Sequence, residues 1–237
     1  MKIPFENEVK IFVIRCPYFN WADPRVQRLF GKFIECKAVG YQKEYTQRVF
    51  PLNVYDFIAT LILMAEVRED EIRPLSMFKS VTHSVCQYYR RPFELMEVVS
   101  HEPLLLYEVQ ARLATQPGDS IAYNSSWTIA PVFRKDPEKR DFLRDLTAAT
   151  LVNYYQDAGS PLVLSVASRS RKTDRFHLEG GFSVFQDRLG HSLPDFISPF
   201  LPGESTVLME VKHPSPKWRA YAENWEGLWN AREVLGQ

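Results

Sequence analysis

His177 stands in the string RFHLEGGF, one turn ahead of a glycine pair. An unperturbed imidazole titrates near ~6.5, so it can pass protons at neutral pH. A single His on a charged helix more often faces water, and that plainer reading leads. Glu66 closes the apolar string YDFIATLILMAEV and could serve as a base, although strand-end carboxylates more often face solvent. Glu97 and His101 flank a short strand expected at Phe93–Val99. His83 and Cys86 lie three apart on an expected helix and could meet there. A thiol nucleophile also needs an orienting group and an oxyanion hole. The sequence supplies neither, so buried packing is the stronger reading and a cysteine hydrolase ranks third. The run RKDPEKR, with Arg144 one turn beyond, gathers Arg134, Lys135, Lys139 and Arg140, which could form charge-assisted bonds to a phosphate. Asp136 and Glu138 oppose an anion, and mixed charge runs are often just solvated loops.

The composition bounds what those groups can serve. The chain has 237 residues, 45% of them apolar, enough for one large core. A single domain over residues 1–237 is expected, with residues 204–237 as a strand–helix extension packed on it. Lys plus Arg equals Asp plus Glu at 29 each, so no global field draws in nucleic acid or anionic lipid. Cys16, Cys36 and Cys86 are too sparse for a disulfide framework, which suggests a reducing compartment. Their spacing fits no zinc site, so no metal is expected. MKIPFENEVK has no signal-like apolar run, and the longest such run, Phe57–Ala65, is far short of the ~20 residues of a membrane span. A soluble cytoplasmic protein is expected.

The elements follow from periodicity and punctuation. Val9–Ile14 reads as a strand. Asp23 and Pro24 start a helix whose face is Val26, Leu29, Phe30, Phe33 and Ile34, with Gly40 expected to close it. Tyr41–Val49 mixes polar and aromatic residues without a clear period. Tyr55–Val67 is apolar on both alternating faces, as in a covered central strand. Met77–Tyr89 is expected as a helix stopped by Pro92, and Leu104–Ala114 as another. Ser125–Phe133 reads as a strand with an awkward Pro131. A long helix, Arg140–Asp157, ends at Gly159 and is followed by a buried strand, Pro161–Ala167. Strand, long helix and strand make a crossover unit, so the two strands should run parallel. Next come a helix over Arg171–Glu179, strands over Phe182–Gln186 and Thr206–Val211, and a last helix from Pro216. That helix carries an aromatic stripe from Trp218 to Trp229, fit for core packing, a pocket lid or a homodimer interface.

The order from Ser125 to Gln186, with the Gly181-Phe182 pair after the short helix, resembles the cofactor-binding half of the GCN5-related N-acyltransferase superfamily. YDFIATLILMAEV followed by PLSMF is similar to the acyl-homoserine lactone synthase and N-acyl amino acid synthase branch. The resemblance implies an α/β (α+β) fold: a mixed twisted sheet with helices on both faces, plus a C-terminal strand and helix. It also implies an N-acyltransferase that moves an acyl group from acyl-CoA or an acyl carrier protein to a small-molecule amine, without a metal. The donor would lie along Trp127, Thr128, Ile129, Ala130 and Val132 of one strand and Ser165 and Ser168 at the next. Its pyrophosphate would meet Arg134, Lys135, Lys139, Arg140 and Arg144 at the start of the long helix, where free N–H groups point outward. His177 takes the place where many members carry a Tyr acid, with Glu66 and Glu97 as further catalytic candidates. Two departures stand out. RKDPEKRDFL lacks the glycines of the family's phosphate loop, and SSWTIA lacks the Glu and Arg common in the synthase branch. Both favour the alternative of a non-catalytic module that binds an acyl ligand or a protein partner.

Overall fold

The computed structural model describes residues 3–44, 52–159, 161–201 and 203–236. The chain forms two compact units. The first gathers Met1–Ser80, Ser126–Tyr154 and Trp218–Gln237, and the second gathers Val81–Ser125 and Tyr155–Lys217. Together they hold a mixed α/β fold with parallel and antiparallel strand pairs.

In the first unit, strands β1 (Glu8–Arg15), β2 (Thr60–Arg68) and β3 (Glu71–Thr82) run antiparallel in sequence order. Leu61–Ala65 of β2 are wholly buried, as a central strand requires. The sequence expectation of one strand from Tyr55 is corrected. Tyr55–Ile58 forms a single helical turn, α2, and Ala59 turns the chain into β2. The helix expected from Met77 is corrected more deeply. Met77–Thr82 continues β3, and only His83–Tyr88 is helical (α3), capped by the Thr82 hydroxyl. Pro74 is tolerated in β3 because the register shifts there, between Met64 and Ala65 of the partner strand.

Helix α1 (Pro24–Glu44) begins where Asp23 and Pro24 predict, with the Asp23 carboxylate accepting from Arg25 N at 2.8 Å. It does not stop at Gly40. A Cβ there would stand 2.5 Å from Thr128 Oγ1, so the glycine serves a close approach rather than a helix end. Residues 45–49 of the unassigned Tyr41–Val49 stretch lie outside the described residues. Helix α6 (Pro137–Asp157) packs through Thr147, whose hydroxyl bonds Leu143 O and Ser76 Oγ. The C-terminal aromatic stripe packs within this unit. It lies on α8 (Pro216–Asn224) and α9 (Glu226–Asn230), with Trp225 edge-on to Phe142 of α6. A last strand, β9 (Glu233–Leu235), pairs parallel with β1.

In the second unit, β4 (Ile121–Ile129) enters through its first half and pairs parallel with β5 (Leu162–Ser168). Strand β8 (Ser205–Val211) pairs antiparallel with β5, and the short β6 (Ser183–Val184) and β7 (Phe196–Ile197) both pair with β8. The strand expected at Phe93–Val99 is instead a helical turn, α4 (Glu94–Val98), ahead of α5 (Pro103–Thr115). Helix α7 (Thr173–Glu179) ends against the glycine pair Gly180–Gly181.

Candidate active site

The second unit brings two of the candidate residues into contact. The ladder between β4 and β5 runs from Ile121↔Leu162 to Asn124↔Ser165. Ser165 Oγ lies 3.1 Å from Asn124 O and 2.9 Å from His177 Nε2. His177 does not face water; it is buried beneath α7, edge-on to Phe182. Its Nδ1 lies 2.7 Å from Thr173 O. A carbonyl oxygen can only accept, so Nδ1 carries a proton. Burial holds the imidazole pKa below its ordinary value of 6.5, although Thr173 O and the Asp174 charge pull the other way. The turn from β5 into α7 fixes this geometry. Ser168 N donates to Thr173 Oγ1 at 2.7 Å, and Ser168 Oγ bonds Ser170 and Glu204. Ser168 is thus spent on the turn, while Glu97 is half-buried on α4.

Asn124 was not singled out from the sequence. Among the described residues, Asn124 Oδ1 and Ser125 Oγ are buried without a hydrogen-bond partner. Such atoms cost ~1–3 kcal/mol unless something pairs with them. One sequence signal was available, an Asn-Ser-Ser run in an otherwise apolar strand. Ser126 then takes a left-handed backbone, φ 62°, which breaks the regular pleat one residue past the end of this unit's stretch of β4.

The first unit holds the remaining donor-site candidates. Pro131–Phe133 is a 3-10 turn rather than strand, so β4 stops at Ile129. Arg134 folds back, with Nε donating to Ile129 O at 2.7 Å and Nη2 to Thr128 Oγ1 at 2.8 Å. It clamps the strand end to its own loop. Asp136 caps α6, its Oδ1 accepting from Lys139 N at 3.2 Å, and it also lies 3.6 Å from Lys139 Nζ. Arg140 pairs with its neighbour Asp141. Lys135 is exposed, and Trp127 and Arg144 are half-buried. The helix N-terminus is therefore occupied by a carboxylate of its own. Replacing Asp136 by Ala should cost about 1 kcal/mol of stability through the lost cap, as read by urea unfolding.

Ala130 and Val132 line an open cleft of ≈ 670 Å³ in this unit, together with Cys36 and Val39 of α1 and Arg73 and Pro74 of β3. The Cys36 thiol is pushed up to about 12 by burial, so it is no nucleophile at neutral pH. Glu66 is buried on β2, where Oε1 accepts from Asn7 N and Nδ2, and Oε2 lies 3.4 Å from Arg73. That carboxylate ties the chain ahead of β1 to the sheet. A third polar group is wholly internal. Asp56 accepts from Lys37 at 3.0 Å and from Lys79 at 2.9 Å, all three side chains being out of water. Among the described residues no cluster of His, Cys, Asp or Glu is arranged to hold a metal, and no helix is long and apolar enough to cross a membrane.

No protein-family model and no curated protein matches this sequence. Solved structures do match in fold. The acyl-homoserine lactone synthase LasI superposes with a TM-score of 0.57 at 12% identity, over 98% of each chain. The CoA-dependent acyl-homoserine lactone synthase BjaI, solved with SAM and isopentyl-CoA, gives 0.56 at 14% identity, over 97% of this chain and 94% of its own. FeeM, an N-acyl amino acid synthase from uncultured soil microbes, gives 0.51 at 10% identity, over 92% and 99%. At such identities the likeness speaks for backbone architecture. The chain has the mixed α/β fold of these acyl-homoserine lactone synthases and this N-acyl amino acid synthase.

Proposed function

We propose that the chain is an N-acyltransferase, moving an acyl group from an acyl-CoA or acyl-carrier-protein thioester to the amine of a small molecule. The observation that carries this reading is the parallel β4–β5 ladder that ends at Asn124↔Ser165, beside a buried imidazole and an orphaned side-chain carbonyl. An extended pantetheine arm has amides that can pair with strand backbone where a ladder stops. The fold-level likeness to thioester-using synthases supports the same reading. Among the candidate catalytic groups we place the proton chemistry at His177 rather than Glu66, whose oxygens are already engaged. Glu97, half-buried on α4, stays a further candidate.

One observation favours the alternative of a non-catalytic acyl-binding module. Asp136 occupies the α6 N-terminus, where a pyrophosphate would otherwise sit. A single experiment separates the two. Melting is followed with acetyl-, octanoyl- and palmitoyl-CoA and with an octanoyl carrier protein, alongside thiol release across an amine panel. A ligand at 100 times its Kd adds ~2.7 kcal/mol to stability, so a clear rise in Tm is expected with at least one thioester. A rise with amine-dependent thiol release supports transfer, a rise without release supports the binding module, and no rise with any donor defeats both.

A further inference from the structure

The Ser165–His177 contact holds fewer protons than its geometry can use. Nδ1–H points at Thr173 O, so the neutral imidazole presents a bare lone pair at Nε2. Ser165 has one hydroxyl proton and two acceptors within reach, Nε2 at 2.9 Å and Asn124 O at 3.1 Å. While the imidazole is neutral, the hydroxyl satisfies only one of them. If a proton reaches Nε2, that N–H donates to Ser165 Oγ, the hydroxyl turns to Asn124 O, and every contact is satisfied. The site is therefore built to accept one proton through Ser165. The unpaired Asn124 Oδ1 belongs to the residue in register with Ser165, and it supplies a second acceptor for a donor with two hydrogens. A primary amine is such a donor.

We propose that Ser165 and His177 form a proton relay that deprotonates the attacking amine, with Asn124 Oδ1 holding the amine's other hydrogen. This rests on the acyltransferase reading above. Ser165 is the group that touches the reacting nitrogen, and His177 acts through it. As the amine nitrogen bonds to the thioester carbon, its proton passes to Ser165 Oγ and the serine proton passes to His177 Nε2. The tetrahedral adduct then collapses, the C–S electron pair goes to sulfur, and the relay returns the proton to the thiolate. The products are an amide, a free thiol and the starting neutral imidazole. A general-acid role for His177, as the family's usual Tyr would suggest, needs Nε2 protonated at the outset. Burial opposes that, and the Thr173 contact places the single proton of the neutral ring on Nδ1. The groups facing the ring are Phe176 and Phe182, together with the Asp174 charge, which is itself paired to Arg169.

The test combines ¹⁵N-histidine NMR with kinetics on the full chain. At pH 7 the His177 ring is expected neutral, with the proton on Nδ1. A protonated Nε2 at that pH overturns the relay. The wild-type kcat for amine acylation, which reports the enzyme–substrate complex, should show an acid limb below neutral pH that follows His177. Ser165→Ala and His177→Gln should each lower kcat by roughly 100- to 1000-fold, remove that limb, and leave thioester binding within about threefold. Ser165→Thr, which keeps the hydroxyl, should restore most of the rate. If Ser165→Ala keeps the wild-type rate and pH limb, the relay falls and the acyltransferase reading stands. If the wild type binds thioesters and acylates no amine, the acyltransferase reading falls and takes the relay with it.

Discussion

Replacing Asp56 by Ala should destabilise the first unit by about 3–5 kcal/mol, the usual cost of stripping one partner from a buried ion pair. Asp56 is wholly buried and holds two ammonium groups, Lys37 and Lys79, which are just as inaccessible. It also accepts from Asn53 N at 2.8 Å, so its loss loosens the chain entering α2. All five tryptophans, Trp21, Trp127, Trp218, Trp225 and Trp229, belong to this unit, so urea unfolding read by tryptophan fluorescence reports on it directly. Pairing Asp56→Ala with Lys79→Met should recover part of the loss, because it removes a stranded charge. The pH dependence has a definite sign. Burial raises the Asp56 pKa, but Lys79, Lys37 and the Asn53 N–H together pull it below the ordinary 3.8. A carboxyl whose folded pKa is depressed contributes fully above its unfolded value, and the contribution is lost as pH falls through the folded one. Wild-type stability should therefore drop below about pH 4, and the Asp56→Ala curve should be flatter there. Equal stability of the two proteins at pH 7 would refute this account of the cluster.

Gly181→Ala should cost about 2–4 kcal/mol. The position has φ +90°, and a Cβ there would stand 2.8 Å from Ser215 N and 3.2 Å from His213 O. Backbone strain of this kind costs ~1–3 kcal/mol. The obstacle is backbone and cannot swing aside, so the Ser215 N–Gly180 O bond at 2.9 Å must stretch for about 1 kcal/mol more. Gly190→Ala is the control. It shares a positive φ of +84° but has open space, so it should lose only the strain. The difference between the two Tm shifts, followed by far-UV circular dichroism, isolates the collision. Gly181 also adjoins Phe182, whose N–H donates to His177 O at 3.0 Å. The Gly181 variant should therefore shift the His177 ring resonances, and the Gly190 variant should not.

The sequence was legible where local chemistry decides the structure. Asp23-Pro24 starts α1, Gly180-Gly181 closes α7, and β4 and β5 run parallel as expected, although they pair through Ile121–Asn124, ahead of the strand read from Ser125. It misled where burial reverses the meaning of a residue. Lys79, within the Met77–Tyr89 stretch expected as a helix, is an internal charge answered by Asp56, 23 residues earlier in sequence. With that lysine inward, Met77–Thr82 fits a strand covered on both faces. Gly40 read as a stop because its closeness to Thr128 is a tertiary fact. His177 is similar. Its neighbours Arg175 and Glu179 are exposed and suggest a solvated helix, whereas the ring points inward to Ser165. Asn124 escaped notice because an orphaned acceptor exists only once the surrounding chain has removed its water.

The pairing of β9 with β1 also bears on how the chain is born. β1 is translated well ahead of the strand beside it, Glu233–Leu235. The helices carrying Trp218 and Trp229 arrive equally late. Until they do, one flank of β1 lacks its neighbour and Phe142 lacks its ring contact with Trp225. Contacts between such distant stretches form slowly, since the intervening chain must first be closed into a loop. During synthesis that flank of β1 therefore stays uncovered until Glu233–Leu235 has been made.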